Sequence, residues 1–203
     1  MTGLRERKKR ATRTAIHEAA MSLFADQGFA GTTIDEIAEA ADVSRATVFS
    51  YFPAKEDIVF GDAQAAIDSL AAALRDRPSD TDVIACVRTW LSELTGWIEP
   101  GLVLQLRLMR EVPSVAARRL RLNRDIEDII AEALAAEPRF DNPLAAALVA
   151  SSLLTALRMI EETASEQMEQ QNRPLSETAI TALLDDAVAY SEAGVSALTG
   201  RRR

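Results

Sequence analysis

Ile16, Ala20, Leu23 and Phe24 fall at i, i+4, i+7 and i+8 with polar residues between them, the spacing of one helical face. This stripe predicts a first helix from about Arg5 to Gln27. Gly28 ends it, because the residue just past a helix often takes positive φ and glycine does so cheaply. Thr33 followed three residues later by Glu36 is a capping-box signature, so a second helix begins there with Ile34, Ile37, Ala38 and Ala41 as its apolar face. Asp42 and Val43 interrupt the pattern. Ser44 is a good cap for a third short helix, Arg45 to Tyr51, whose inner side is Val48 and Phe52. Pro53 closes that helix, since the residue before a proline is pushed out of the α region. A fourth is predicted from about Ala54 to Arg75, with Ile58, Val59, Ala66, Ile67, Leu70 and Leu74 for packing.

Past the break at Arg75 to Asp80, Val83, Val87, Trp90, Leu94 and Trp97 form one continuous face that stops near Glu99 to Gly101. Leu102 to Arg110 reads as a helix broken at Pro113, and Ser114 to Glu137 as another ended by Pro138. Pro143 to Ile160 is apolar or small on nearly all sides and should be buried against two surfaces. In the last helix Leu175 precedes the Ser176 cap and can staple onto Ile180, and Leu183, Leu184, Ala187, Val188, Val195 and Leu198 continue the stripe. The prediction is an all-α protein of about nine helices with no internal repeat.

Composition narrows the function. The chain has 203 residues, 48% of them hydrophobic, enough for a real core, and 27% charged. No apolar run approaches the roughly 18 to 20 residues of a membrane span, and the basic start does not lead into a secretory signal. The expected location is the cytoplasm, with no membrane partner. One cysteine, Cys86, and one histidine, His17, supply zinc chemistry, a Ser/His/Asp triad or a Cys/His dyad poorly, so neither metal, cofactor nor catalytic residue is expected. His17 should border the core of the first helix, and Cys86 should be packing. An enzyme on a helical scaffold stays open only if carboxylates meet in three dimensions. Charge is uneven: residues 1 to 13 hold Arg5, Arg7, Lys8, Lys9, Arg10 and Arg13 against Glu6 alone, a net of +5, while the other 190 residues carry −13. A basic end on an acidic body suits contact with a polyanion at that end; a solvated, frayed terminus has the same composition.

Two short helices joined by three residues, the second opening on a polar cap, form the helix-turn-helix that lays a helix in the DNA major groove. With Val48 and Phe52 inward, Arg45, Thr47 and Tyr51 can point outward, while Ala46, Ser50 and the cap Ser44 are small enough for close approach. Arg45 can pair with guanine, Thr47 can meet a base or a thymine methyl, and Tyr51 can reach a phosphate. Lys55 opposes the dipole of its helix unless a phosphate sits there, and Thr33 could make a similar contact. Alternatively Thr33 is only a cap and Lys55 only solvated.

Leu23 to Ile58, "LFADQGFAGTTIDEIAEAADVSRATVFSYFPAKEDI", resembles the DNA-binding region of the tetracycline-repressor (TetR) family of bacterial transcription regulators. Gly28-Phe29, Thr32-Thr33, Ile37-Ala38, Val43-Ser44, Tyr51-Phe52-Pro53 and Lys55-Glu56 carry the resemblance. It implies a homodimer on double-stranded operator DNA, a helix-turn-helix domain over 1–58, and a helical ligand-binding and dimerisation domain over 59–203. A small-molecule effector would release the DNA, most simply from a repressor. Three residues depart from the family pattern: Asp42 in place of a turn glycine, Phe49 in place of a frequent tyrosine, and Ala54 in place of a serine cap. A helical binding or scaffold protein that has lost DNA binding, through Asp42 and Phe49, is the rival reading.

The resemblance also implies a dimer interface from the last two long helices, near 143–170 and 176–199, and the small side chains Ala145, Ala146, Ala147, Ala150, Ser151 and Ser152 permit close helix approach. Candidates for an effector site are Trp90, Leu94 and Trp97 on one helical face, with Met109 and the arginines Arg107 and Arg158 in apolar runs. A buried arginine needs a carboxylate, solvent or an anionic ligand. The basic run Arg118 to Arg124 reads as a solvated face, with Arg121–Asp125 and Arg124–Asp128 as i,i+4 pairs.

Overall fold

The computed structural model describes residues 2–78, 81–94, 101–140, 142–171 and 177–199. Among them are ten helices and no strand: α1 (Thr2–Gly31), α2 (Ile34–Ala40), α3 (Arg45–Tyr51), α4 (Lys55–Val59), α5 (Ala63–Asp76), α6 (Val83–Leu94), α7 (Gly101–Glu111), α8 (Pro113–Ala135), α9 (Pro143–Gln171) and α10 (Glu177–Thr199). The count exceeds the expected nine because the predicted fourth helix is two. Gly61 breaks it with φ of +49°, and the His17 ring stands 3.3 Å from where a Cβ would project. The apolar spacing runs on through this break, which is why periodicity alone fused the two pieces.

The chain divides into two compact units, Met1–Ala63 with Leu104–Leu120, and Gln64–Val103 with Arg121–Arg203. In the first, α1 packs on α2 and α4, and α2 on α3. Ile16, Ala20, Phe24, Ile37, Val48, Phe52 and Ile58 are buried, the residues the stripes pointed to. Leu106, Leu108 and Val115 are also buried in this unit. α1 begins earlier than expected, and its regular turns stop at Gly28 (φ 78°, ψ 162°), a backbone region open essentially to glycine alone. α7 stops at Glu111, just before Pro113 as expected, and Pro113 is itself the first residue of α8, where its missing N–H costs no hydrogen bond.

In the second unit Leu70, Leu74, Val83, Val87, Trp90, Ile130, Leu134, Val149, Leu153, Val188 and Val195 belong to one core. α10 packs on α9 and α6. Glu137 closes the entry to α6, accepting from the Val83 N–H at 3.1 Å with Arg77 3.7 Å away. α9 runs eleven residues further than the apolar pattern suggested. By length and composition Pro143–Gln167 could cross a bilayer, contrary to the expectation that no segment would. One face of it is packed: Ala146, Val149, Ala150 and Leu153 are buried, and the Ser151 hydroxyl donates to Glu127 on α8. Trp97 and the Leu175–Ser176 staple lie outside the described residues, as do the side chains of Leu94, Ile180, Leu183, Leu184 and Leu198.

Candidate nucleic-acid interface

Local chemistry builds the α2–turn–α3 motif. At the start of α2 the Thr33 hydroxyl accepts from the Glu36 N–H at 3.2 Å, and Glu36 Oε2 takes the Thr33 N–H at 2.7 Å and its O–H at 2.8 Å. Both faces of the Thr33 hydroxyl are thus committed to the cap. These bonds from Thr33, backbone first and side chain second, lower the Glu36 pKa below its ordinary value of 4.5. A depressed carboxylate stabilises the fold above its unfolded pKa and loses that contribution as pH falls through the folded value. Urea midpoints of the protein and of Glu36→Gln should therefore differ at neutral pH and converge on acidification below 4.5. A gap that stays constant through that window would contradict the box as a source of pH-dependent stability.

α2 stops at Ala41, and Asp42 makes the turn at φ of +52°, the left-handed geometry that a short polar residue tolerates best after glycine. Ser44 caps α3: its Oγ accepts from the Thr47 N–H at 3.0 Å and shares a hydrogen bond with Thr47 Oγ1 at 2.8 Å. Val48 and Phe52 are fully buried, which turns Arg45, Ala46, Phe49 and Ser50 outward. Thr47 and Tyr51 are half-buried. Ser50 Oγ is tied to the Thr47 carbonyl at 2.7 Å, so the long polar side chain on the open face is Arg45. Its Nη1 lies 2.7 Å from Asp35 Oδ2 on α2, and its guanidinium stands 5.5 Å over the Phe49 ring. Arg5, Arg7, Lys8, Lys9 and Arg10 are all exposed on the first turns of α1, so the basic arm is a helical extension.

Lys55 departs from both readings the sequence offered. Its ammonium donates to the backbone carbonyls of Phe29 at 2.6 Å and Thr32 at 2.8 Å and stands 4.2 Å from the Phe29 ring centroid. Burial pushes its pKa down from 10.5, a cost that these carbonyls and the ring offset. The ammonium is consumed inside the domain because the chain between Gly28 and Thr33 leaves carbonyls without helical partners.

Side chains distant in sequence hold α4 and its exit. Arg13 Nη1 donates to the Tyr51 carbonyl at 2.7 Å and Nη2 to the Gly61 carbonyl at 2.8 Å. Its Nε lies 2.5 Å from Asp62, and its guanidinium 4.1 Å over the Phe52 ring. Arg13, the remaining cation of residues 1 to 13, is a half-buried knot inside the domain. His17 Nδ1 lies 2.7 Å from the Ile58 carbonyl, which can only accept, so Nδ1 carries the proton. Gln105 Nε2 donates to the Val59 carbonyl at 3.1 Å. Ala54 has no side chain to cap α4, yet its N–H is satisfied by Asp57 Oδ2 at 2.9 Å, and Asp57 in turn pairs with Arg118. Arg118 is therefore half-buried and engaged, not part of a solvated basic face. Arg121, Arg124, Asp125 and Asp128 are exposed, but no ion pair joins them among the described residues.

Residues 16–60, which carry α2, the turn, α3 and α4, match the tetR family of bacterial regulatory proteins. This segment of the chain is of the TetR family. The chain is 30% identical over 127 residues to the HTH-type transcriptional regulator TcmR of Streptomyces glaucescens, covering 58% of this chain and 56% of that protein. It is 33% identical over 115 residues to the regulator RutR of Escherichia coli K12, covering 57% and 49%. The chain thus spans about half the length of these curated relatives. In structure it resembles the fatty acid degradation regulator FadR of Bacillus halodurans, with a TM-score of 0.59 at 19% identity over 94% of this chain and 99% of the other, a likeness of fold. These relatives are regulators and not enzymes.

The effector candidates fall in both units. Arg107 and Met109 belong to the first unit, Trp90 and Arg158 to the second. Of the alternatives open to these arginines, solvent and a carboxylate are the ones met: Arg107 is exposed, and Arg158 is exposed and paired with Glu162 at 2.8 Å. Trp90 is buried with its indole N–H given to the Ala66 carbonyl and Ser69 Oγ, both at 3.1 Å, as a core tryptophan requires.

Proposed function

We propose that the protein is a homodimeric transcriptional repressor that binds operator DNA through α2 and α3 and is released by a small-molecule effector. The supporting observation is the outward face of α3: Arg45, Ala46 and Ser50 project while Val48 and Phe52 anchor the helix, with the cationic start of α1 in the same unit. In this reading the helix-turn-helix domain is residues 1–58 and residues 59–203 bind effector and partner. Arg45 reads a guanine edge, Ala46 and Ser50 allow the helix to approach, and Thr47 and Tyr51 line the contact. Such a reader of the chromosome works in the cytoplasm.

Self-association is supported by a row of apolar side chains on α9. Leu144, Leu148 and Met159 are 62, 51 and 58% exposed and lie four and eleven residues apart, on one helical face. A second copy of α9 and α10 would cover it. Two recognition helices in a dimer should then stand about 34 to 36 Å apart, or a multiple, to meet successive major grooves.

The test is gel retardation of the full chain on duplexes selected from a random pool. Sequence-specific retardation that weakens steeply with salt is expected. Arg45→Ala should cost about 1 to 3 kcal/mol and relax preference at one base position. A protein that selects no sequence would be a helical binding protein without operator recognition.

A further inference from the structure

Asp35 sits in the first turn of α2, ten residues before Arg45, and its carboxylate grips Arg45 Nη1 at 2.7 Å. The guanidinium is also laid over Phe49, one turn further along α3. No hydrogen bond occupies Arg45 Nε or Nη2 among the described residues, so one edge of the guanidinium fork is held and the other is open. Both side chains are well exposed, 58% for Arg45 and 66% for Asp35, so the pair is a constraint on a surface cation and contributes little to the core.

We infer that Asp35 is a specificity-determining residue: by holding Arg45 against Phe49 it withholds the guanidinium from indiscriminate phosphate contact while leaving its open edge for a base. A phosphate brought to the open Nε/Nη2 edge meets a guanidinium already neutralised by a neighbouring carboxylate that repels it. A guanine edge brought to the same Nε/Nη2 pair carries no net charge and escapes that repulsion, while Nη1 keeps Asp35. The carboxylate therefore penalises non-specific binding more than operator binding, and it fixes a side chain whose rotamer freedom would otherwise be lost on docking. This rests on the proposed role of α3 as the DNA reader.

The experiment compares full-length wild type, Asp35→Asn and Glu39→Gln on a selected duplex and on a mixed-sequence duplex of equal length and composition. Glu39 is another exposed carboxylate of α2 and makes no ion pair with Arg45, so it reports the general effect of removing one negative charge. Asp35→Asn should tighten non-specific binding more than Glu39→Gln does and lower the specific-to-non-specific ratio by up to about five-fold, the range of an exposed ion pair. Its non-specific log–log salt slope should steepen by up to about 0.9, one added phosphate contact. In an Arg45→Ala background the change in ratio should vanish. Equal ratios for the two charge variants, or an Asp35→Asn effect that persists without Arg45, would overturn the inference while leaving the DNA-reading proposal standing. A wild type with no sequence preference sinks that proposal and this inference with it.

Discussion

Arg13→Ala is expected to destabilise the helix-turn-helix unit by about 1.5 to 3 kcal/mol, the range for losing hydrogen bonds from a charged donor at a half-buried site. Alanine would leave the Tyr51 and Gly61 carbonyls without their shared donor and the Asp62 carboxylate without its ion-pair partner, and would uncover the Phe52 ring. Arg13→Lys should recover only part of this, since one ammonium cannot serve two carbonyls and a carboxylate in a planar fork. Hydrogen exchange of α3 and α4 amides in the full chain is the direct readout, because it follows this unit without assuming that the whole chain unfolds in one step. If Arg13 acted as one more cation of the basic arm, the substitution would leave exchange unchanged and lower the salt slope of DNA binding by about 0.9.

The contrast between Arg13 and the caps shows what the chain discloses before it folds. Thr33 with Glu36, Ser44 before α3, Gly28 after the regular part of α1 and Asp42 in the turn are solutions to problems of neighbouring backbone, and each was legible because donor and acceptor lie within a few residues. The burial of Val48 and Phe52 was legible because α3 is short and polar on its other side. Arg13 finds its partners 38 and 48 residues away, His17 at 41 and Lys55 at 23 and 26, distances at which spacing says nothing. What they share is a backbone carbonyl that a helix end or break leaves over. Gly61 was the available signal: a glycine inside an apolar helical run marks a break, and a break exposes carbonyls that some donor must satisfy. The roles of the effector candidates were not legible in the sequence for a different reason. A tryptophan or arginine in an apolar run has the same sequence signature whether it lines a site, packs in a core or leans out to solvent, and Trp90 packs while Arg107 and Arg158 lean out.

Lys55→Ala separates two roles that the same residue could fill at the entry of α4. As a clamp, the ammonium ties the start of α4 to the last turn of α1 and the chain leading into α2, through the Phe29 and Thr32 carbonyls. That chain is otherwise held by the buried Thr32, whose hydroxyl donates to the Gly28 carbonyl at 2.8 Å. Losing hydrogen bonds from a charged donor costs about 1.5 to 3 kcal/mol each, so Lys55→Ala should lower stability by roughly that amount or more and loosen the entry to α2. Lys55→Met keeps the apolar stem against Phe29 and should recover the packing part alone. DNA affinity should fall in both variants because α2 supports α3, yet the salt slope should stay that of the wild type, since no phosphate contact has gone. A slope reduced by about 0.9 with exchange protection of α1, α2 and α4 unchanged would instead make Lys55 a phosphate anchor, drawn off its carbonyls by DNA. The geometry favours the clamp: the ammonium would have to give up two short hydrogen bonds and an aromatic face to reach a phosphate, exchanging three existing contacts for one.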